Sequence, residues 1–165
     1  MLKILDAVDA LNERLAMVVR WLALVMVLIQ FAVVIVRYVF GVNSIAAQES
    51  VLYLHAAFFM LGAGYTLLVD KHVRVDVFSS RLNARARAWI DVVGHVVFLM
   101  PSMAALLFWS WTSVMNSWAI FEGPISVGGL KAVYLMKSLI PLFCMLLLLQ
   151  SLAHVVRFLI GRARL

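Results

Sequence analysis

Four long apolar segments dominate the hydrophobic pattern of the chain. They cover about residues 21–40, 45–69, 91–111 and 138–156. A helix rises about 1.5 Å per residue, so each segment is long enough to cross a hydrocarbon core of roughly 30 Å. Pro101 and Pro141 lie inside two of these segments, and membrane helices tolerate proline. The pattern predicts an all-α integral membrane protein with four transmembrane helices.

The first residues have a different, amphipathic pattern. Apolar side chains recur at helical spacing at Ile4, Val8, Leu11, Leu15 and Val18. The charged residues of this segment fall on the other side: Lys3, Asp6, Asp9 and Glu13. The pattern predicts an amphipathic helix over residues 2–18, either lying in the membrane interface as a lead-in to the first span or extending that span into the cytoplasm. The acidic residues argue against a cleavable signal peptide, so the prediction is a single membrane domain over residues 1–165.

The segment "KHVRVDVF", residues 71–78, alternates charged and apolar residues as a β-strand does. A lone strand is not stable, and no second alternating segment exists to pair with it. We interpret it as an extended bend along the membrane interface, where His72, Arg74 and Asp76 reach water or headgroups. We expect Arg74 and Asp76 to hold this bend against helix ends or a partner subunit.

Composition agrees with a membrane location. The chain is 65% hydrophobic and 13% charged, whereas soluble domains carry about 25% charged residues. The net charge of +6 does not indicate nucleic-acid binding, because the basic residues cluster beside the apolar segments. The single cysteine, Cys144, excludes an intramolecular disulfide.

The distribution of basic residues predicts the orientation. In a four-span chain, eleven of the fourteen Lys and Arg residues lie on one side, namely Lys3, Arg14, Arg20, Lys71, Arg74, Arg81, Arg85, Arg87, Arg157, Arg162 and Arg164. Only Arg37, Lys131 and Lys137 lie on the other. Positive residues mark the cytoplasmic side, so both termini are predicted to be cytoplasmic.

Two charged residues near the outer ends of the first and second spans are candidates for a site. Arg37 and Glu49 are expected at similar depth across a short turn, where an ion pair would offset the cost of burying either charge. Such a pair is compatible with a structural clamp, a contact to a partner subunit, or a ligand for substrate or an ion.

Three histidines lie within the spans and open a different possibility. His95 and His154 are expected at similar depth near the cytoplasmic ends of their spans, while His55 is nearer the opposite face. Paired histidines in a helical bundle can ligate haem, so a four-helix membrane cytochrome b is an alternative function. No span carries a mid-membrane acid, and no catalytic or metal-binding motif is present, so we expect neither an enzyme nor a metal site.

The longest extracytoplasmic segment is "MNSWAIFEGPISVGGLKAVYLMK", residues 115–137. Trp118 suits interfacial anchoring, and Gly128-Gly129 indicates a specific turn. The segment is either an ordered loop that contacts a partner or a plain connection. Its candidate structural or interface residues are Trp118, Glu122, Gly128, Gly129 and Lys137.

These features together resemble the DctQ-like small permease subunits of tripartite ATP-independent periplasmic (TRAP) transporters. The resemblance covers about residues 25–157 and rests on "VRYVFG", "LGAGYTLLVDKHVRVDVF" and "RARAWIDVVG". Its most recognisable element is the sequence His72-Val73-Arg74-Val75-Asp76 in the second connection. The second half of the chain resembles the subgroup linked to mannitol or chloroaromatic compounds.

The resemblance implies a small, non-catalytic subunit in the bacterial inner membrane. Such a subunit acts as a scaffold for a large permease and helps to dock a periplasmic substrate-binding protein during uptake of an organic acid. It carries no cofactor of its own, and sodium coupling belongs to the large permease. The implied partners are the large permease, the binding protein and phospholipid.

Overall fold

The structure, a computed structural model, describes residues 2–70, 83–124 and 126–161. These residues form helices and connecting turns, with no β-strand among them. The elements in chain order are α1 (Leu2–Phe40), α2 (Ile45–Leu68), α3 (Ala84–Val93), a π-helical segment (Gly94–Leu99), α4 (Met100–Ala119) and α5 (Val133–Leu159). The prediction of an all-α fold is confirmed.

Within the described ranges, four helical stretches are long and apolar enough to cross a membrane. They are Lys3–Phe40, Ile45–Leu68, Arg85–Ala119 and Val133–Leu159, and each contains one predicted span apart from a residue at its edge. The third stretch joins α3, the π-helical segment and α4 end to end. The described elements thus confirm the four predicted spans and lengthen three of them.

Helix α1 is a single unbroken helix of 39 residues. Residues 2–18 are therefore an extension of the first span and not a separate helix, because no glycine or proline interrupts the sequence before Gly41. At about 1.5 Å per residue the helix is about 58 Å long, well beyond one hydrocarbon core. Its apolar stripe faces away from the bundle, with Ile4 and Val18 exposed. Whether the stripe lies in the interface stays a prediction.

The π-helical segment has a local cause in the sequence. Pro101 has no backbone N–H and its ring crowds the preceding turn of a helix. Directly before it, the N–H of Met100 donates to the carbonyl of His95, five residues back, which widens the turn. The third span therefore continues past the proline without ending.

Helix α5 forms the centre of the bundle and packs against α1, α2 and α4. In the most apolar part of α5, about 44% of the residues are buried inside the protein. The corresponding shares for the other three stretches, in chain order, are 6%, 6% and 11%. Its buried residues are Pro141, Cys144, Leu146, Leu147, Gln150, Ser151 and Ala153. The outward faces of the other three spans remain apolar and exposed, so they must meet lipid or another protein.

The ends of the bundle differ in their connections. One end, here called the loop end, carries the turn 41–44 and the loop 120–132; the other, the terminal end, carries both chain termini. At the loop end, α1 stops at Gly41, whose φ of +67° suits glycine. Ser44 caps α2 by accepting a hydrogen bond from the Ala47 N–H at 3.3 Å.

Candidate functional site

A carboxylate holds the long loop at the loop end. Glu49, in the first turns of α2, accepts hydrogen bonds from the Ser126 hydroxyl and from the backbone N–H of Leu130, the latter at 2.6 Å. Bonds to an ionised carboxylate are stronger than those between neutral groups. We call this arrangement of Glu49, Ser126, Gly129 and Leu130 the carboxylate clamp. It ties the loop to the second span across about eighty residues of sequence.

The two glycines of the predicted turn contribute in different ways. Gly128 has a φ of +86°, a backbone conformation that favours glycine, and the Gly129 N–H donates to the Ser126 carbonyl at 3.2 Å. A Cβ added at Gly129 would lie 2.5 Å from both carboxylate oxygens of Glu49. Gly129 is therefore required for the close approach of loop and carboxylate.

The predicted ion pair between Arg37 and Glu49 is wrong. The Glu49 carboxylate is occupied by the loop, and among the residues that the structure describes no ion pair involves Arg37. Arg37 is exposed in the last turn of α1. Similar depth alone did not bring the two charges together, since the carboxylate turns towards loop donors that only the fold supplies.

A second polar contact lies beside the carboxylate clamp. Lys137, in the first turns of α5, donates to the Glu122 carboxylate and forms an ion pair with it. The Glu122 N–H also donates to the Ser117 carbonyl at 3.0 Å, which closes the turn after α4. Two residues that the sequence offered only as separate candidates are thus partners.

Aromatic side chains complete the loop end. The Trp118 ring N–H donates to the Ser138 hydroxyl at 2.7 Å, and the ring packs edge-on against Tyr134 with centroids 4.8 Å apart. Phe121 packs edge-on against the same tyrosine at 5.7 Å. These contacts link the end of α4 to the start of α5 and order this part of the loop end. Whether the loop contacts a partner stays a prediction.

The Glu122–Lys137 pair predicts a pH dependence of stability. The hydrogen bond from Lys137 lowers the pKa of Glu122 below its ordinary value. A group whose pKa is lowered by folding stabilises the fold fully above its unfolded pKa, about 4.3, and that contribution is lost as the pH falls through the folded pKa. We expect the difference in melting temperature between the parent and Glu122→Gln to be largest near pH 6 and to shrink below about pH 4.3. Thermal unfolding from pH 3.5 to 7 measures it, and a difference that does not vary with pH would contradict the assignment.

A polar network lies at the terminal end. Arg157 of α5 donates to both carboxylate oxygens of Asp9, at 3.0 and 2.7 Å, and to the Leu5 carbonyl at 3.1 Å. Gln150 donates to Asp9 at 3.2 Å, and the Asn12 amide donates to the Gln150 side-chain oxygen at 2.8 Å. We call these residues the terminal-end network. It fastens the extension of α1 to the central helix.

Sequence reasoning missed this network. In an otherwise apolar segment, the polar residues Gln150, His154 and Arg157 recur every three or four positions, and Ser151 follows the first of them. That recurrence was a usable signal for a polar face of α5. The network also explains a small residue in α2, since a Cβ added at Gly64 would overlap the side-chain oxygen of the buried Asn12.

The histidines do not form a haem site in this arrangement. The rings of His95 and His154 lie 4.6 Å apart between centroids and are inclined by 31°, so they contact each other and leave no room for a porphyrin between them. His95 is buried with Nδ1 2.9 Å from the Ser151 hydroxyl. His55 is exposed on α2, and its ring packs against that of Phe59 with centroids 4.6 Å apart. The described residues contain no group of three or more candidate metal ligands.

The remaining sequence candidates are His72, Arg74 and Asp76. They lie outside the described residues, and their role at the bend stays a prediction.

The comparison with known families matches residues 26–161 to the family described as tripartite ATP-independent periplasmic transporters, DctQ component. No curated protein and no solved structure matches the chain. The matched region begins inside α1 and ends beyond α5, so it includes the C-terminal part of the first membrane-crossing stretch, all of the other three and both loop-end contacts. The chain is a multi-pass membrane protein that belongs to the DctQ family, the small subunits of TRAP transporters.

Proposed function

We propose that the chain is a non-catalytic scaffold subunit of a TRAP transporter. It supports a large permease that carries the substrate, and it helps to dock the periplasmic binding protein that delivers an organic acid. Sodium coupling belongs to the large permease. The observation that carries the proposal is the ordered loop end, which is fixed by two carboxylate contacts and is far more structured than a plain connection requires.

The loop end offers a surface suited to docking. Beside the carboxylate clamp and the Glu122–Lys137 pair, the apolar side chains of Ile120, Phe121 and Val127 are exposed, Val127 by 94%. Rigid loops that present apolar side chains are favourable for binding, because little conformational freedom is lost on association. This supports a docking role for the loop end on the periplasmic side.

The distribution of charge within the spans supports a scaffold and not a carrier. The acids of the sequence lie near the ends of the apolar segments or outside them, and none is near the middle of a span. Carriers of ions and organic acids normally place charged groups or broken helices near the midplane. The large exposed faces of α1, α2 and α4 give the permease a surface to bind.

The proposed orientation places both termini in the cytoplasm of the bacterial inner membrane and the loop end in the periplasm. It follows from the eleven basic residues on the terminal side. We expect Val127→Cys, in a Cys144→Ala background, to react with an impermeant thiol reagent in intact cells, while Lys3→Cys reacts only after lysis. Both side chains are exposed in the fold, so reactivity reports the side of the membrane. Labelling of Lys3→Cys in intact cells would contradict the orientation.

Uptake by proteoliposomes that contain the large permease and the binding protein, with and without this chain, tests the proposal. If the chain is a scaffold, it transports no substrate by itself, but uptake by the large permease requires its presence.

A further inference from the structure

A groove of about 570 Å³ lies between α1 and α2, in a part of the fold that neither end site uses. Its volume falls in the range of about 300–1,000 Å³ typical of small-ligand sites. The residues that matter for its chemistry are Glu13, Arg20, Phe58, Phe59, Tyr65 and Thr66. Acidic, basic and apolar side chains therefore share one groove on the outside of the helix pair.

The predicted start of the first span, at about residue 21, puts the groove at the expected boundary between membrane and water. Trp21 opens the first apolar segment, and the Arg20 guanidinium lies over its ring, 5.9 Å from the centroid. Tryptophan and arginine side chains are typical of the headgroup level. Phe58 and Phe59 line the groove from the part of α2 that is nearer the middle of its span, and Phe59 is exposed. The groove therefore runs from headgroup level into the hydrocarbon region.

The two charges of the groove are held apart and unpaired. Glu13 and Arg20 are seven residues apart on one face of α1, which is two turns or about 10 Å along the axis. Among the described residues, neither forms an ion pair with the other or with a third group. Arg20 is on the membrane side and Glu13 on the water side.

We propose that this groove binds one phospholipid with a zwitterionic, primary-amine headgroup of the phosphatidylethanolamine type. In such a lipid the phosphate is nearer the hydrocarbon and the ammonium nearer the water, which is the order of Arg20 and Glu13. The phosphate accepts hydrogen bonds from the guanidinium, the ammonium donates to the carboxylate, and the first part of an acyl chain packs on Phe58 and Phe59. An apolar helix of another subunit would leave both charges unsatisfied. The lipid assignment rests on the groove and on the position of the first span, so it holds whether or not the scaffold function does.

Lipid binding to the purified full chain tests the proposal. Native mass spectrometry measures the apparent Kd for phosphatidylethanolamine, phosphatidylcholine and phosphatidylglycerol at equal concentrations. We expect the chain to retain one phosphatidylethanolamine in preference to the other two lipids. Glu13→Gln should raise the Kd for phosphatidylethanolamine about tenfold or more, so that the chain no longer prefers this lipid over phosphatidylglycerol. Arg20→Gln should weaken the binding of both phosphatidylethanolamine and phosphatidylglycerol.

Matched controls exist on the same helix. Arg14→Gln and Asp6→Asn change exposed charges that do not line the groove, and they should leave all three Kd values unchanged. Glu13 and Arg20 are also exposed, so their variants are expected to fold, and thermal unfolding checks this. Equal affinity for the three lipids, or an unchanged Kd in Glu13→Gln, would overturn the proposal. If Glu13→Gln and Arg20→Gln left lipid binding unchanged but abolished co-purification of the large permease, the proposal would also be overturned. The groove would then be a protein interface.

Discussion

Replacing Arg157 by methionine should destabilise the chain by about 3–5 kcal/mol, the usual cost of removing one partner from a buried ion pair. Arg157 and Asp9 are both largely buried, with side-chain exposures of 19% and 13%. Without the guanidinium, the Asp9 carboxylate loses both hydrogen bonds from Arg157, and the Leu5 carbonyl loses the side-chain donor that adds to its helical hydrogen bond. The extension of α1 should then detach from α5. Thermal or denaturant unfolding of the purified chain measures the loss.

A second substitution separates charge from packing. Asp9→Asn in the Arg157→Met background removes the unpaired charge and keeps an oxygen that can accept from Gln150. We expect this double variant to recover much of the lost stability. Arg14→Met is the matched control, because Arg14 is an exposed arginine on α1. If Arg157→Met were as stable as Arg14→Met, the terminal-end network would not hold the extension.

Replacing Gly129 by alanine should open the carboxylate clamp. The new Cβ would lie 2.5 Å from both oxygens of Glu49, so loop or carboxylate must move. Overpacking of this kind costs about 1–3 kcal/mol, which corresponds to roughly a 5- to 150-fold change in an opening equilibrium. The Leu130 N–H, which donates to Glu49, should exchange with solvent faster by a factor in that range. Hydrogen exchange with residue resolution measures it, and binding of the periplasmic binding protein should weaken in parallel.

Two further variants make this result specific. Gly123→Ala is the matched control, since a Cβ at Gly123 meets nothing within 4 Å. Glu49→Ala removes the obstructing oxygens, so adding Gly129→Ala to it should cost little more. If the Leu130 N–H exchanged with solvent in Gly129→Ala as slowly as in the parent, the carboxylate clamp would not control the loop.

The architecture could be predicted because it depends on the length and order of apolar segments along the sequence. Four apolar segments of sufficient length predict four spans, whichever helices pack against each other. The continuity of α1 was also readable, since no glycine or proline precedes Gly41. His95 and His154 were expected at similar depth, and their contacting rings agree with that expectation.

The side-chain partners could not be predicted in the same way. Glu49 was assigned to Arg37 because both were expected at one depth, but a carboxylate binds the donors nearest in space, and these come from a loop whose path is set by the packing of α4 and α5. Asn12 and Gln150 are 138 residues apart, so no local pattern connects them. Their polar character in amphipathic or apolar segments indicated that partners exist without indicating which ones.

Uptake by proteoliposomes tests the scaffold function most directly. The substrate is the organic acid that the purified cognate binding protein binds, supplied with that protein and a sodium gradient. Vesicles with the large permease alone should show uptake near background, vesicles with this chain alone should show none, and vesicles with both should show sustained uptake. Uptake by this chain alone, or full uptake by the large permease without it, would contradict the account.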